Sequence, residues 1–178
     1  MRHVPNMLSL FRLCLVPIFP IAFFSSHPYG KMIAIIIFIV AGFTDFLDGY
    51  IARRFNIVTQ LGKVLDPLAD KLMLMSALLT LWVNSNLPFW LIIIFVGKEL
   101  FMIFAGAYLY FRKGKFAIPS NRYGKFATGI LFLAIPIRIL APQNPAGLIL
   151  ITLALGFMLI AFFNYRTFYK EQKLIGEV

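Results

Sequence analysis

The sequence predicts an all-α integral membrane protein with six transmembrane helices and both termini in the cytoplasm. Three observations lead to this prediction: an apolar composition, six long apolar runs and a one-sided distribution of basic residues. Of the 178 residues, 61% are hydrophobic and 13% are charged, whereas soluble domains average about 45–50% and about 25%. A soluble fold of this size leaves too much of its surface exposed to hide so many apolar side chains. The composition therefore predicts a membrane domain.

Six apolar runs are long enough to cross a bilayer, which takes about 20 residues of helix. The first follows a polar start, and the breaker sequence SSHPYG separates it from the second. A short turn joins the second to the third, and the polar NSN before Pro88 precedes the fourth. A basic connection leads to the fifth, and APQNPAG precedes the sixth. The predicted spans are Met7–Phe24, Lys31–Ala52, Gly62–Val83, Pro88–Phe111, Tyr123–Leu140 and Ala146–Phe163. Length and the lack of repeats predict a single domain over residues 1–178.

Lysine and arginine fall almost entirely on one side of these six runs. The other side has only Lys31 and Arg138. Twelve basic residues share the favoured side: Arg2, Arg53, Arg54, Lys63, Arg112, Lys113, Lys115, Arg122, Lys125, Arg166, Lys170 and Lys173. Because positive loops stay in the cytoplasm, this bias predicts a multi-pass protein of the cell membrane with cytoplasmic termini. The net charge of +10 is thereby attributed to topology and phosphate-bearing partners, and nucleic acid is not expected as a partner.

Four of the seven acidic residues lie within one short stretch, DFLDGYIARRFNIVTQLGKVLDPLAD. Asp45 and Asp48 are three residues apart near the end of the second predicted helix, and Asp66 and Asp70 are four apart near the start of the third. Each pair shares one face of its helix. Since a short turn makes the two helices antiparallel, the four carboxylates are predicted to converge at the cytoplasmic end.

Clustered carboxylates need a cation to remain ionised together. Arg53 and Arg54 could supply part of this charge, and an intramembrane salt-bridge network is the structural alternative. Oxygen-only ligands around one point suit Mg²⁺ or Mn²⁺, and two such ions could stabilise the attacking and leaving oxygens of a phosphoryl group. Because intramembrane acids are usually functional, the stretch is interpreted as a two-metal site. Gly49 leaves room for a ligand beside Asp48.

The spacing D-x2-D-G-x2-A-R-x8-G-x3-D-x3-D resembles the signature of the CDP-alcohol phosphotransferases. Every fixed position is present, and the six-helix plan also resembles that family. The matching residues are Asp45, Asp48, Gly49, Ala52, Arg53, Gly62, Asp66 and Asp70.

This resemblance implies that CDP-diacylglycerol donates its phosphatidyl group to an alcohol and that CMP leaves. Asp45, Asp48 and Asp66 would bind the metal ions with Asp70 close to them, and Asp70 would also be the general base. The CDP moiety would be bound by Gly49, Ala52, Arg53 and Gly62. Family members are often homodimers, and the resemblance leaves that assembly open here.

The acceptor is indicated by weaker signals. VPNMLSLFRLCLVPIF and DPLADKL resemble the phosphatidylglycerophosphate synthase branch of the family, which uses glycerol 3-phosphate. GKEL and IPSNRYGKFAT resemble both that branch and the CMP-forming cardiolipin synthases. Lys98, Arg122 and Lys125 are the candidate ligands of an acceptor phosphate. Lys98 either pairs with Glu99 or points into the cavity, and the sequence leaves both open.

Two further classes of function compete with a transferase. A cation transporter could use the aspartates to carry metal, but it does not explain the fixed glycine, alanine and arginine positions. A structural membrane protein could use the acids only to pair helices. The membrane lipids remain expected partners under every one of these hypotheses.

Overall fold

The computed structural model is all-helical within the residues that it describes, 4–54, 62–113 and 122–174. Side chains are described at 7–45, 68–102, 104 and 122–164. The helices in these ranges are α1 (Val4–Phe24), α2 (Gly30–Arg54), α3 (Gly62–Val83), α4 (Phe89–Lys113), α5 (Arg122–Leu140) and α6 (Pro145–Leu174). The six predicted helices are thus confirmed, most of them to within three residues at each end.

The end of α6 is the largest difference from the predicted helices. It continues to Leu174, whereas the predicted span stops at Phe163. Hydropathy falls after Phe163, but the sequence that follows, NYRTFYKEQKL, contains neither glycine nor proline. Nothing in it breaks a helix, so α6 extends beyond its apolar part.

Three helices among the described residues are long and apolar enough to cross a membrane. They are Met7–Phe24, Arg122–Leu140 and Pro145–Asn164. These three are consistent with a membrane protein. Crossing by the other three helices, and cytoplasmic placement of both termini, remain predictions.

Helix α1 makes most of the helix–helix contacts in the first half of the bundle. It packs extensively against both α2 and α3, while α2 and α3 touch each other much less. A proline in α1 helps to form this contact. Pro20 lies inside the helix and has no N–H to donate to the carbonyl of Val16. The Ser76 hydroxyl of α3 donates to that carbonyl instead, at 3.0 Å.

Aromatic rings join α2 to α5 in the middle of the bundle. Phe38 of α2 stacks on Phe132 of α5, with ring centroids 5.4 Å apart, and also contacts Phe19 of α1 at 6.1 Å. Gly42 lies one turn after Phe38. A Cβ placed there would come 2.0 Å from the Phe132 ring, so any larger residue at position 42 would have to displace this ring.

Arg138 fastens two loops at the end of the bundle opposite the aspartates. Helix α3 ends in a Schellman turn, in which Asn86 N–H donates to the Leu81 carbonyl and Ser85 has a positive φ of 59°. The Asn86 carbonyl then accepts a hydrogen bond from Arg138 Nε at 2.8 Å. Arg138 Nη1 donates to two carbonyls of the α5–α6 loop, those of Pro142 and Asn144. One guanidinium thereby holds the α3–α4 and α5–α6 connections together.

Candidate active site

Asp45 is held by a buried arginine from the first helix. Arg12 Nη1 of α1 donates to Asp45 Oδ1 of α2 at 2.6 Å. The Arg12 side chain is only 1% exposed, whereas that of Asp45 is 44% exposed. A carboxylate has about four lone-pair sites, so this bond leaves Asp45 with capacity for another ligand. The oxygens of the Asp45 carboxylate therefore fit a hard divalent cation in addition to the hydrogen bond from Arg12.

Asp70 lies on α3 and is half-buried. The charges of Asp45 and Arg12 both act on its carboxylate, the first by repulsion and the second by attraction. Glu99 also repels this carboxylate, and Lys71 also attracts it. Arg12 thus interacts with both aspartates, through an ion pair with Asp45 and by attraction at Asp70. The repulsion between Asp45 and Asp70 agrees with their predicted approach, and the convergence of all four carboxylates remains a prediction.

A second charged cluster lies beside Asp70 and joins α3 to α4. Glu99 is 5% exposed and is bracketed by two lysines. Lys71 Nζ of α3 lies 2.7 Å from Glu99 Oε2, and Lys98 Nζ lies 2.5 Å from Glu99 Oε1. Lys98 also contacts Met158 Sδ of α6 at 3.6 Å and lies over the Phe95 ring. Of the two alternatives left open by the sequence, the structure has Lys98 paired with Glu99.

The remaining aspartates cannot be placed in the same way. Their side chains, and those of the candidate CDP ligands, lie outside the described ones; they are Asp48, Gly49, Ala52, Arg53, Gly62 and Asp66. Among the described side chains, no group of three acids, histidines or cysteines could hold a metal ion. Asp45 and Asp70 are two of the four predicted ligands. The metal and CDP roles of all these residues remain predictions.

The two other candidate ligands of the acceptor phosphate lie on α5. Arg122 and Lys125 are both exposed and border a groove along that helix. Lys98, by contrast, lies on α4 against α6 and is 8% exposed. The binding of an acceptor phosphate by these three residues remains a prediction.

Comparison with known proteins decides the family. The model of the CDP-alcohol phosphatidyltransferase family matches residues 2–162. The chain belongs to this family. It is accordingly a transferase of substituted phosphate groups, as the spacing of the aspartate motif predicts.

Relatives of this phosphatidyltransferase carry a more specific description. This chain is 33% identical over 147 residues to a CDP-diacylglycerol–glycerol-3-phosphate 3-phosphatidyltransferase of Bacillus subtilis. The match covers 76% of this chain and 75% of the relative. The protein of that name from Haemophilus influenzae is 34% identical over 136 residues, covering 75% and 73%. A third, from Rickettsia felis, is 29% identical over 143 residues, covering 80% and 78%.

Two parts of the phosphatidyltransferase site were missed by sequence reasoning. Arg12 enters the sequence prediction only as part of VPNMLSLFRLCLVPIF, which resembles a family branch, and the expected balancing role of Arg53 and Arg54 lies outside the described side chains. Lys71 was not singled out at all. A charged residue inside an apolar helix is the signal that could have identified both, since such a residue is usually paired.

The pairing of Arg12 with Asp45 makes a testable distinction between two substitutions. Asp45→Asn keeps an oxygen that can accept from Arg12, whereas Asp45→Ala removes it. We expect Asp45→Ala to lower the free energy of unfolding by about 1.5–3 kcal/mol, the usual value of a hydrogen bond between charged groups. Asp45→Asn should lower the free energy of unfolding clearly less. Unfolding measured in detergent for both variants checks this order, and two variants as stable as the unmodified protein would contradict a structural role for the pair.

Proposed function

We propose that the protein transfers the phosphatidyl group of CDP-diacylglycerol to glycerol 3-phosphate, releasing CMP and forming phosphatidylglycerophosphate for phospholipid biosynthesis. The observation that supports this acceptor most directly is the name of three relatives, 29–34% identical to this chain, which specifies glycerol 3-phosphate. CMP-forming cardiolipin synthesis, with phosphatidylglycerol as acceptor, is the alternative within the same family.

The proposed chemistry is a displacement at the phosphorus that carries diacylglycerol. The acceptor oxygen forms a bond to this phosphorus, the bond from phosphorus to the CMP oxygen breaks, and the hydroxyl proton passes to the Asp70 carboxylate. Asp70 suits this role because it is half-buried and its surroundings contain both cations and anions. A base placed within hydrogen-bonding reach typically contributes about 10²–10⁴-fold to the rate.

Divalent ions, Mg²⁺ or Mn²⁺ and in the proposal two of them, would be held by Asp45, Asp48, Asp66 and Asp70. When bound, they would neutralise charge developing on the diphosphate oxygens. Arg12 fixes the orientation of the Asp45 carboxylate through Oδ1, so this ligand is aligned before a metal binds. Arg53 would bind the CDP phosphates.

The proposed location is the cell membrane, with the aspartates at the cytoplasmic side. Support comes from the distribution of lysine and arginine and from the three apolar helices long enough to cross a bilayer. Water-soluble glycerol 3-phosphate and CMP would then enter and leave from the cytoplasm, while the lipid donor and product remain in the membrane.

An acceptor panel tests the proposal. The purified protein is incubated with CDP-diacylglycerol and Mg²⁺, together with glycerol 3-phosphate, phosphatidylglycerol or no acceptor, and CMP release is measured. We expect release with glycerol 3-phosphate alone, and loss of release when the metal is chelated. Release with phosphatidylglycerol alone would replace the proposal by cardiolipin synthesis, and release that persists without divalent metal would refute the two-metal site.

A further inference from the structure

Helix α5 presents a groove on the face turned away from the bundle. Its buried residues, such as Ala127, Leu131 and Ile135, recur at helical spacing and pack inward. The opposite face borders a cavity of about 570 Å³. The residues that line it are Arg122, Lys125, Phe126, Gly129, Ile130 and Leu133. Phe126 is 68% and Leu133 65% exposed, so among the described residues no helix covers this face.

The groove has a charged end and an apolar length. Arg122 and Lys125 are three residues apart in the first turns of α5, which makes them neighbours on the helix surface. Among the described residues, neither has an ion-pair partner. The sequence also contains no Asp or Glu between Glu99 and Glu171, so no acid of α5 or its flanking segments neutralises them. The rest of the described lining is uncharged and apolar.

The dimensions of the groove match one leaflet of a bilayer. From Arg122 to Leu133 the helix rises by about 17 Å at 1.5 Å per residue, and half of the hydrocarbon core is about 15 Å thick. Gly129 lies between the two ends, and a Cβ built there meets no atom within 4 Å. An extended alkyl chain could therefore lie directly against the backbone of α5.

We propose that this groove binds one anionic phospholipid, with its phosphate between Arg122 and Lys125 and an acyl chain along Phe126, Gly129 and Leu133. The lining distinguishes this ligand from glycerol 3-phosphate. The acceptor has two hydroxyl groups that need polar partners, and the described groove beyond the two cations offers none. Arg122 and Lys125 are thus assigned to a lipid phosphate in place of the acceptor phosphate, so glycerol 3-phosphate is not expected to displace the lipid. The site does not depend on the proposed reaction.

Binding is tested on the full-length protein by native mass spectrometry in detergent, with dioleoyl phosphatidylglycerol and dioleoyl phosphatidylcholine as probes and no CDP-diacylglycerol. Phosphatidylglycerol should be retained more strongly. Gly129→Leu places a side chain in the groove, at a position where a Cβ meets no atom within 4 Å, and should lower retention at least fivefold. The matched control is Gly156→Leu on α6, which is also exposed and has open space and should retain phosphatidylglycerol normally.

Charge is tested separately by the double substitution Arg122→Gln and Lys125→Gln. Each cation near a membrane surface contributes about 1 kcal/mol, so the pair should weaken retention by about 25-fold. Lys31→Gln removes an exposed cation elsewhere and should have no effect. Equal retention of the two lipids, an unaffected Gly129→Leu protein, or displacement of the lipid by glycerol 3-phosphate would each overturn the proposal. Because no turnover is measured, failure here is distinguishable from failure of the acceptor panel.

Discussion

Asp70→Asn is expected to reduce turnover by at least 10²–10⁴-fold, the usual contribution of a general base, while leaving the fold intact. The amide has the shape of the carboxylate but cannot accept the acceptor proton at neutral pH. It also removes one negative charge from a position on which Asp45 and Glu99 act repulsively. The reaction is followed as CMP release from CDP-diacylglycerol with glycerol 3-phosphate and Mg²⁺.

Two control measurements separate loss of the base from loss of structure. Thermal unfolding in detergent should be close to that of the unmodified protein, because the substitution relieves repulsion and changes little volume. Binding of CDP-diacylglycerol should remain measurable. A folded Asp70→Asn protein with full turnover would contradict the assignment of Asp70 as the base, and unfolding would show instead that the acid serves helix pairing.

Glu99→Gln should cause the largest loss of stability of any single substitution proposed for this chain, about 3–5 kcal/mol, the usual cost of breaking a buried ion pair. The side chains of Glu99 and Lys98 are 6% and 8% exposed. Removing the acid leaves two ammonium groups, those of Lys98 and Lys71, near each other without a neutralising carboxylate. Unfolding of the purified protein in detergent measures the loss.

Substitution of Lys98 tests whether the loss is electrostatic. Lys98→Met alone should cost less than Glu99→Gln, because Lys71 still neutralises Glu99 at 2.7 Å. Adding Lys98→Met to Glu99→Gln should restore part of the stability, and the double-mutant cycle gives the coupling. Unchanged stability of Glu99→Gln, or additive losses in the double variant, would contradict a charge network between α3 and α4.

Hydropathy was sufficient to predict the helices because each apolar run coincides with one element. The end of α6 was missed because hydropathy reports burial in lipid, whereas a helix continues until a residue breaks it. Hydropathy could not predict which helices pack against each other. The sequence suggests that α2 and α3 face each other directly across a short turn, but α1 packs against both, and its contacts are made by residues far away in sequence.

The aspartate motif could be predicted because its spacing places Asp45 and Asp70 at matching ends of adjacent helices. The pairing of Asp45 with Arg12 could not, since the two residues are 33 positions apart and no local pattern links them. The partner of Lys98 was left open for a related reason. Adjacent residues on a helix do not face each other, and the Lys98–Glu99 pair is completed by Lys71 from another helix.

The three hydrogen bonds of Arg138 also have a mechanical consequence. They fix α3 relative to α5 at one end, so a tilt of α3 would pivot there. Asp70 lies thirteen residues before Val83, the end of α3, which is a lever of about 20 Å. A tilt of about 5° would move its carboxylate by about 2 Å, more than the ~1 Å misplacement that can slow an enzyme about 100-fold. The position of Asp70, the proposed base, is thus sensitive to the hydrogen bonds of Arg138 at the opposite end of the bundle.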